Sequence, residues 1–108
     1  MEVLLNKIEV EFMKYGVRHG RSVAFCHAPA MQIVDRCEEL GVRINGIDGL
    51  FLSPNVTQPS MEDSVDFSRQ VGDIYALTRE FMLERVNRPL HFDLSMDLER
   101  KLTPWPDV

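Results

Sequence analysis

Cysteine, long apolar runs and basic charge are all scarce in this chain, and each shortage excludes a class of protein. The two cysteines, Cys26 and Cys37, are too few for a disulfide framework, and they lack the CxxC spacing of a structural zinc site. No apolar stretch approaches the roughly 20 residues of a transmembrane helix. Glu2, Glu9 and Glu11 interrupt the N-terminus, so it lacks the basic and apolar blocks of a signal peptide. We therefore expect a cytoplasmic protein without a membrane segment.

The charge balance is acidic. The chain carries 17 acidic and 12 basic residues, for a net charge of −5. Nucleic-acid binding requires a basic face, so we expect no nucleic-acid partner. An acidic protein complements a basic partner protein, because opposite potentials steer association, although the same charge also serves ordinary solubility. The composition indicates no cofactor.

Three amphipathic helices are predicted from apolar residues at three- and four-residue spacing. The first covers residues 3–15 and ends at Gly16, which we expect to adopt a left-handed cap. The second begins at Pro29 and ends at Gly41. The third covers residues 68–87, with Ser68 as its N-cap, or Asp66 if the helix starts earlier.

Residues 90–98 alternate between apolar and polar side chains without a break, which predicts a half-buried strand. Its apolar side chains face the core, and His91, Asp93, Ser95 and Asp97 form a row on the other face. Residues 42–52 are also β-like, but Gly46 and Gly49 flank Asp48 and indicate a bulge or a close backbone approach.

The remaining segments are predicted as connections and tail. Residues 17–22 form a polar connection, 53–63 a long polar loop and 64–67 a short paired strand. Residues 102–108 form an extended C-terminal tail, in which Trp105 is either a docking residue or a cover for the core. With 108 residues the chain makes one domain, residues 1–108. The expected class is α+β, with a small, mainly antiparallel sheet and about three amphipathic helices on one face.

Three histidine-containing groups suggest chemistry. His91 and Asp93 share a strand face, and Asp48 would supply a third metal ligand if the two strands pair. Cys26 and His27 resemble a nucleophile and its base, but neighbours in a strand point apart, which makes Cys26 a core residue in our interpretation. Arg18, His19 and Arg21 form a basic group able to hold a phosphate or carboxylate, or else a solvated turn. We assign no catalytic or metal-ligating residue.

Acidic residues make the more extensive pattern. Three of them follow one another closely near the predicted loop, and others lie on the predicted strands. If the strands are neighbours, these side chains form one negative surface for a basic protein. The predicted partner-binding residues are Asp48, Glu62, Asp63, Asp66, His91, Asp93 and Asp97.

A short motif links the middle of the chain to a known group. The segment Leu40-Gly41-Val42-Arg43-Ile44-Asn45-Gly46-Ile47-Asp48 resembles small bacterial immunity proteins of polymorphic toxin systems, in which a helix leads into an isoleucine-glycine-glycine-aspartate strand. The chain departs from that pattern at Ile47, where a second glycine is usual, and at Phe67, where the usual aromatic residue is tryptophan. The resemblance covers the order of elements over residues 12–97. It implies a small acidic protein that binds and inactivates a cognate toxin without catalysis.

The sequence thus favours a non-enzymatic protein-binding domain of the immunity type. One alternative is a small enzyme or metal-binding domain that uses the His91 and Asp93 face. A second alternative is a homodimerising structural subunit that pairs through an exposed strand edge.

Overall fold

The computed structural model describes residues 1–106 as two antiparallel sheets, three α-helices and a 3₁₀ helix. In chain order the elements are β1 (Glu2–Leu5), α1 (Lys7–Glu11), the 3₁₀ helix (Met13–Tyr15), β2 (Gly16–His19), β3 (Ser22–Phe25), α2 (His27–Leu40), β4 (Ile44–Ser53), β5 (Val56–Asp66), α3 (Ile74–Leu83), β6 (His91–Met96) and β7 (Lys101–Pro104).

The larger sheet has five strands in the order β2-β3-β6-β4-β5, and β1 pairs with β7 in a separate two-stranded sheet. Every pairing is antiparallel, which confirms the predicted α+β class with a mainly antiparallel sheet. The core lies between the five-stranded sheet and the two longer helices. There, Phe25, Ile47 and Phe92 of the sheet belong to the same buried cluster as the apolar residues of α2.

The first predicted helix is wrong. Residues Val3 and Leu5 are buried while Glu2 and Leu4 are exposed, as in a strand with one covered face. Asn6 then starts α1 through a capping box: its side chain accepts the Glu9 N–H, and the Glu9 side chain accepts the Asn6 N–H. This local bonding divides the apolar stripe that had indicated one long helix.

The predicted connection at residues 17–22 is instead the β2–β3 hairpin. Gly16 opens β2 with φ −83°, so it is not a left-handed cap, whereas Gly20 at the hairpin turn has φ +61°. The second helix begins at His27, just before Pro29, and Gly41 ends it in the left-handed conformation, as predicted.

The predicted loop at residues 53–63 is also a hairpin. β4 and β5 pair from Ser53 and Val56 inward, and the predicted strand 64–67 is the far end of β5. β5 lies at the edge of the sheet, so most of its side chains meet solvent and can be polar. The polar composition that predicted a loop at residues 53–63 therefore belongs to an edge strand.

A bulge in β4 resolves the pattern around Asp48. The register shifts between Ile44 and Gly46, where two residues of β4 stand opposite one step of β6. The bulge reverses which side the following residues face, so Ile44 and Ile47 are both buried although three positions apart. Asp48 consequently reaches solvent on the opposite side.

The third helix is shorter than predicted. Asp66 accepts the Ser68 N–H in a tight turn, and Gly72 has φ +97°, so the helix starts only after Asp73, whose side chain caps Ala76 N–H. Ser68 is therefore not its N-cap. β6 follows the predicted alternation, with Phe92, Leu94 and Met96 buried.

Part of the predicted C-terminal tail belongs to a β-strand. β7 pairs with β1, and Trp105 donates its backbone N–H to the Met1 carbonyl while its side chain packs partly buried against the core. Trp105 thus covers the core, the second of its two interpretations. Residues 107–108 of the predicted tail lie outside the described residues. Across residues 1–106, no helix has both the length and the apolar character needed to cross a bilayer.

Candidate functional site

The five-stranded sheet has one face against α2 and α3 and an opposite face that we call the open face. Cross-strand partners in an antiparallel sheet point the same way. Asp48 of β4 stands opposite Asp93 of β6 on one side and Ser64 of β5 on the other. Gly46, two residues earlier, stands between Ser95 and Asp66. The open face therefore carries carboxylates on three adjacent strands: Asp48, Asp66 and Asp93.

These open-face residues surround a shallow depression. Asp48 and Asp66 line it together with Gly46, Ser68 and Ser95, and its volume is about 370 Å³. Glycine at position 46 leaves the middle of the depression without a side chain. Its rim thus has two carboxylates close to one another.

Asp97 extends the acidic region beyond the end of β6. Its carboxylate accepts a hydrogen bond from the Asn45 amide at 2.8 Å, at the bulge of β4. Within residues 1–106, none of Asp48, Asp66 and Asp97 forms a salt bridge. Hydrogen bonds from Ser68, together with the charge of Arg69, nevertheless hold the pKa of Asp66 below its usual value. Among the residues described, these three carboxylates therefore have no cationic side chain within salt-bridge distance.

Asp93 is the partly enclosed member of the group, with 18% of its side chain exposed. Burial raises the pKa of Asp93, and the neighbouring charges of Arg100 and His19 oppose that rise. His19 Nε2 lies 3.5 Å from one carboxylate oxygen and Arg100 Nη2 lies 3.6 Å from the other. Asp93 therefore has a basic side chain beside each of its carboxylate oxygens, unlike Asp48.

Arg100 continues this chain of charges into the interior. Its Nε and Nη2 donate to the two carboxylate oxygens of the buried Glu9 at 3.0 and 3.2 Å, and Nη2 also donates to the Leu94 carbonyl. Burial by itself lowers the pKa of Arg100, but the carboxylates of Glu9 and Asp93 outweigh it and raise the pKa. The sequence prediction missed both residues. The capping-box spacing of Asn6 and Glu9 was the available signal for Glu9, whereas Arg100 lies outside any recognised motif.

His91 lies on the open face opposite Leu50, one pair of positions away from Asp93. It is half-buried, its Nδ1 has no hydrogen-bond partner within residues 1–106, and burial lowers its pKa. A neutral imidazole is therefore the favoured form near pH 7. The strands that carry His91, Asp93 and Asp48 do pair, but across residues 1–106 no three histidine, cysteine or carboxylate side chains are grouped to hold a metal ion.

Asp63 and Glu62 belong to a different part of the molecule. They lie where β5 bulges between Ser60 and Ser64, and Asp63 is only 4% exposed. The Asp63 carboxylate accepts hydrogen bonds from Ser60 Oγ at 2.6 Å, from Arg85 Nε at 3.1 Å and from Arg88 Nη2. The predicted acidic group is thus divided: Asp63 is held inside, next to the segment after α3, while the Glu62 side chain remains exposed.

Gly49 leaves the space that Asp63 needs to take this inner position. A Cβ atom at position 49 would lie 2.5 Å from the Asp63 carbonyl oxygen and 2.8 Å from its Cβ. The backbone of the bulge can approach β4 this closely only because residue 49 has no side chain.

One of the two cysteines, Cys26, is not buried as predicted. Cys37 is buried, as expected, and burial raises the pKa of its thiol to about 11. Cys26 is exposed at the N-cap of α2 and is not a core residue. The neighbouring His27 ring is hydrogen-bonded through Nε2 to the Met82 carbonyl, 2.7 Å away. This contact ties the His27 ring to the end of α3.

Comparisons with protein-family models, with curated proteins and with solved structures found no match to this chain.

Proposed function

We propose that the protein is a non-enzymatic binding domain whose open face docks a basic partner protein. The observation that carries the proposal is the placement of Asp48, Asp66 and Asp93 on three adjacent strands, with Asp97 at the end of β6. Three of these four carboxylates have no cationic side chain of the same chain within salt-bridge distance, among the residues described.

The shape of the surface supports a partner rich in lysine or arginine. Two carboxylates on the rim of a concave site attract a cationic side chain more strongly than scattered charges on a convex surface, because the surrounding protein reduces solvent screening. The depression at Gly46 is large enough to admit the end of such a side chain. Charge complementarity of this kind mainly accelerates association and excludes wrong partners.

The resemblance to immunity proteins indicates the kind of partner. On that basis we propose that the protein acts in the cytoplasm, where it binds and inactivates a cognate toxin. In this proposal Asp48, Asp66, Asp93 and Asp97 make the contact, His91 borders it, and Glu62 lies outside it. Asp63 has a structural role, because its carboxylate is already bonded to Ser60, Arg85 and Arg88.

The test is titration calorimetry with the purified product of a toxin-like gene immediately upstream. Asp48→Lys should weaken binding by roughly tenfold or more at low salt, and the effect should shrink as salt screens the charges. Glu80→Lys is the matched control, since it makes the same charge change at an exposed position on α3, behind the sheet. Absence of binding by the unaltered protein, or equal weakening by both variants, would contradict the proposal.

The alternative of a homodimer that pairs through a strand edge is less well supported. Of the two edge strands of the five-stranded sheet, the longer one, β5, contains Pro59 and is bulged between Ser60 and Ser64, two features that hinder pairing with another chain. Light scattering distinguishes this alternative, because it requires a mass twice that of the 12.5 kDa chain. The alternative of a small enzyme or metal-binding domain at His91 and Asp93 stays a prediction.

A further inference from the structure

A second depression lies between the ends of two hairpins. Residues 17–20 of the β2–β3 hairpin and residues 52–57 of the β4–β5 hairpin together line a cavity of about 400 Å³. β2 and β5 are the two outer strands of the five-stranded sheet. The sheet therefore curls so that its two ends approach each other across this cavity.

The charge of the cavity is opposite to that of the neighbouring open face. Arg18 and His19 are the ionisable residues in its lining, which contains no carboxylate. Ser53, Asn55 and Thr57 contribute polar groups from the other side. In a chain with a net charge of −5, a concave site lined by an arginine and a histidine favours an anion.

His19 lines the cavity next to Asp93 of the open face. Its Nε2 is directed at Asp93, 3.5 Å away, and the ring makes no hydrogen bond within the described part of the chain. With Nε2 directed at Asp93, Nδ1 is the ring nitrogen that is available to a ligand. Arg100, 3.6 Å from the other oxygen of Asp93, offsets the negative charge behind the ring.

We propose that this cavity binds a small molecule with a phosphate or carboxylate group, held by the Arg18 guanidinium and the His19 imidazole. Arg18 already lies across the hairpin turn, where its Nη1 donates to the Gly20 carbonyl at 3.2 Å. The remaining guanidinium N–H groups are available for a charge-assisted pair with an anion. The cavity adjoins the open face through the contact between His19 and Asp93, but binding of an anion here requires no partner protein.

The experiment is an NMR titration of the ¹⁵N-labelled protein with inorganic phosphate, and separately with acetate, at constant ionic strength set by sodium chloride. We expect saturable amide shifts confined to residues 17–20 and 52–57 with at least one of the two anions. Saturation by phosphate alone identifies a phosphorylated ligand, and saturation by acetate alone identifies a carboxylate.

Arg18→Gln should weaken binding roughly tenfold, the loss expected for one strong charge-assisted contact. Arg21→Gln is the matched control: Arg21 is an exposed arginine of the same hairpin that does not line the cavity, and its substitution should leave the affinity unchanged. His19→Gln provides a second variant if Arg18→Gln alters the whole spectrum. The proposal is overturned if neither anion saturates, or if Arg21→Gln weakens binding as much as Arg18→Gln.

Discussion

Asp48 and Asp63 lie in the same hairpin, yet their carboxylates have opposite surroundings. Asp63 is almost fully buried and accepts hydrogen bonds from one serine and two arginines. Asp48 is exposed and forms neither a salt bridge nor a side-chain hydrogen bond within residues 1–106. An acidic residue type alone therefore does not distinguish a binding surface from an internal anchor. The bulges of the two strands do, because they decide which side of the sheet each carboxylate faces.

The largest expected effect comes from removing the inner carboxylate. Asp63→Ala should lower the free energy of unfolding by about 3 kcal/mol, because it leaves the Arg85 and Arg88 guanidinium groups without their partner. Asp48→Ala should change it by less than about 0.5 kcal/mol. Urea unfolding followed by circular dichroism measures both. Equal effects of the two substitutions would remove the distinction between anchor and surface.

A smaller effect is expected at Gly49, which allows the bulge to approach β4. Gly49→Ala should destabilise the fold by about 2 kcal/mol, since the new methyl group overlaps the Asp63 backbone. In an Asp63→Ala background the bulge is no longer tied to Arg85 and Arg88 and can shift. The second substitution should then cost less, and the double-mutant cycle should be non-additive. Strict additivity would show that the two residues act separately.

The smallest effect is a difference in pH dependence between Asp63 and Asp93. Burial by itself raises the pKa of Asp63, but the hydrogen bonds from Ser60 and Arg88 and the charges of Arg88 and Arg85 outweigh it and hold the pKa below 3.8. Its stabilisation is therefore present above pH 3.8 and is lost as the pH falls through the lower folded-state pKa. For Asp93, burial raises the folded-state pKa. Its contribution to the stability of the fold is therefore present below pH 3.8 and is lost as the pH rises through that raised pKa.

Urea unfolding midpoints across the acidic range, for the unaltered protein and for Asp63→Asn and Asp93→Asn, measure this difference. Each substitution removes one contribution, so the two variants should depart from the unaltered pH profile in opposite directions. Departures of the same sign would mean that Asp93 is paired as Asp63 is.

Elements buried on one side were predictable from the sequence. The alternation of β6 and the apolar stripe of α2 are direct consequences of burial on one face, and Gly41 ends α2 as its lack of a side chain allows. β5 was not predictable in the same way, because an edge strand with mostly exposed residues has the composition of a loop. The prediction of the first helix was wrong because Leu5 fits both the alternation of a strand and the apolar stripe that it forms with Ile8, Phe12 and Tyr15.

The candidate site was predictable in part. Asp48 and Asp93 were expected to lie together if their strands paired, and they are cross-strand partners. The inner position of Asp63 depends on a bulge of β5, and the contact between Arg100 and Glu9 joins residues from opposite ends of the chain. Neither leaves a periodic pattern in the sequence, since both result from tertiary packing.

The pairing of β1 with β7 has a consequence for the order of folding. Glu2 pairs with Pro104, so this small sheet closes a loop that includes nearly the whole chain. The entropy lost in closing a loop rises with its length, and contacts between distant residues form late. On the ribosome, β1 must wait for its partner until β7 has emerged, while the β2–β3 and β4–β5 hairpins can form beforehand. We therefore expect the two-stranded sheet to form after the two hairpins.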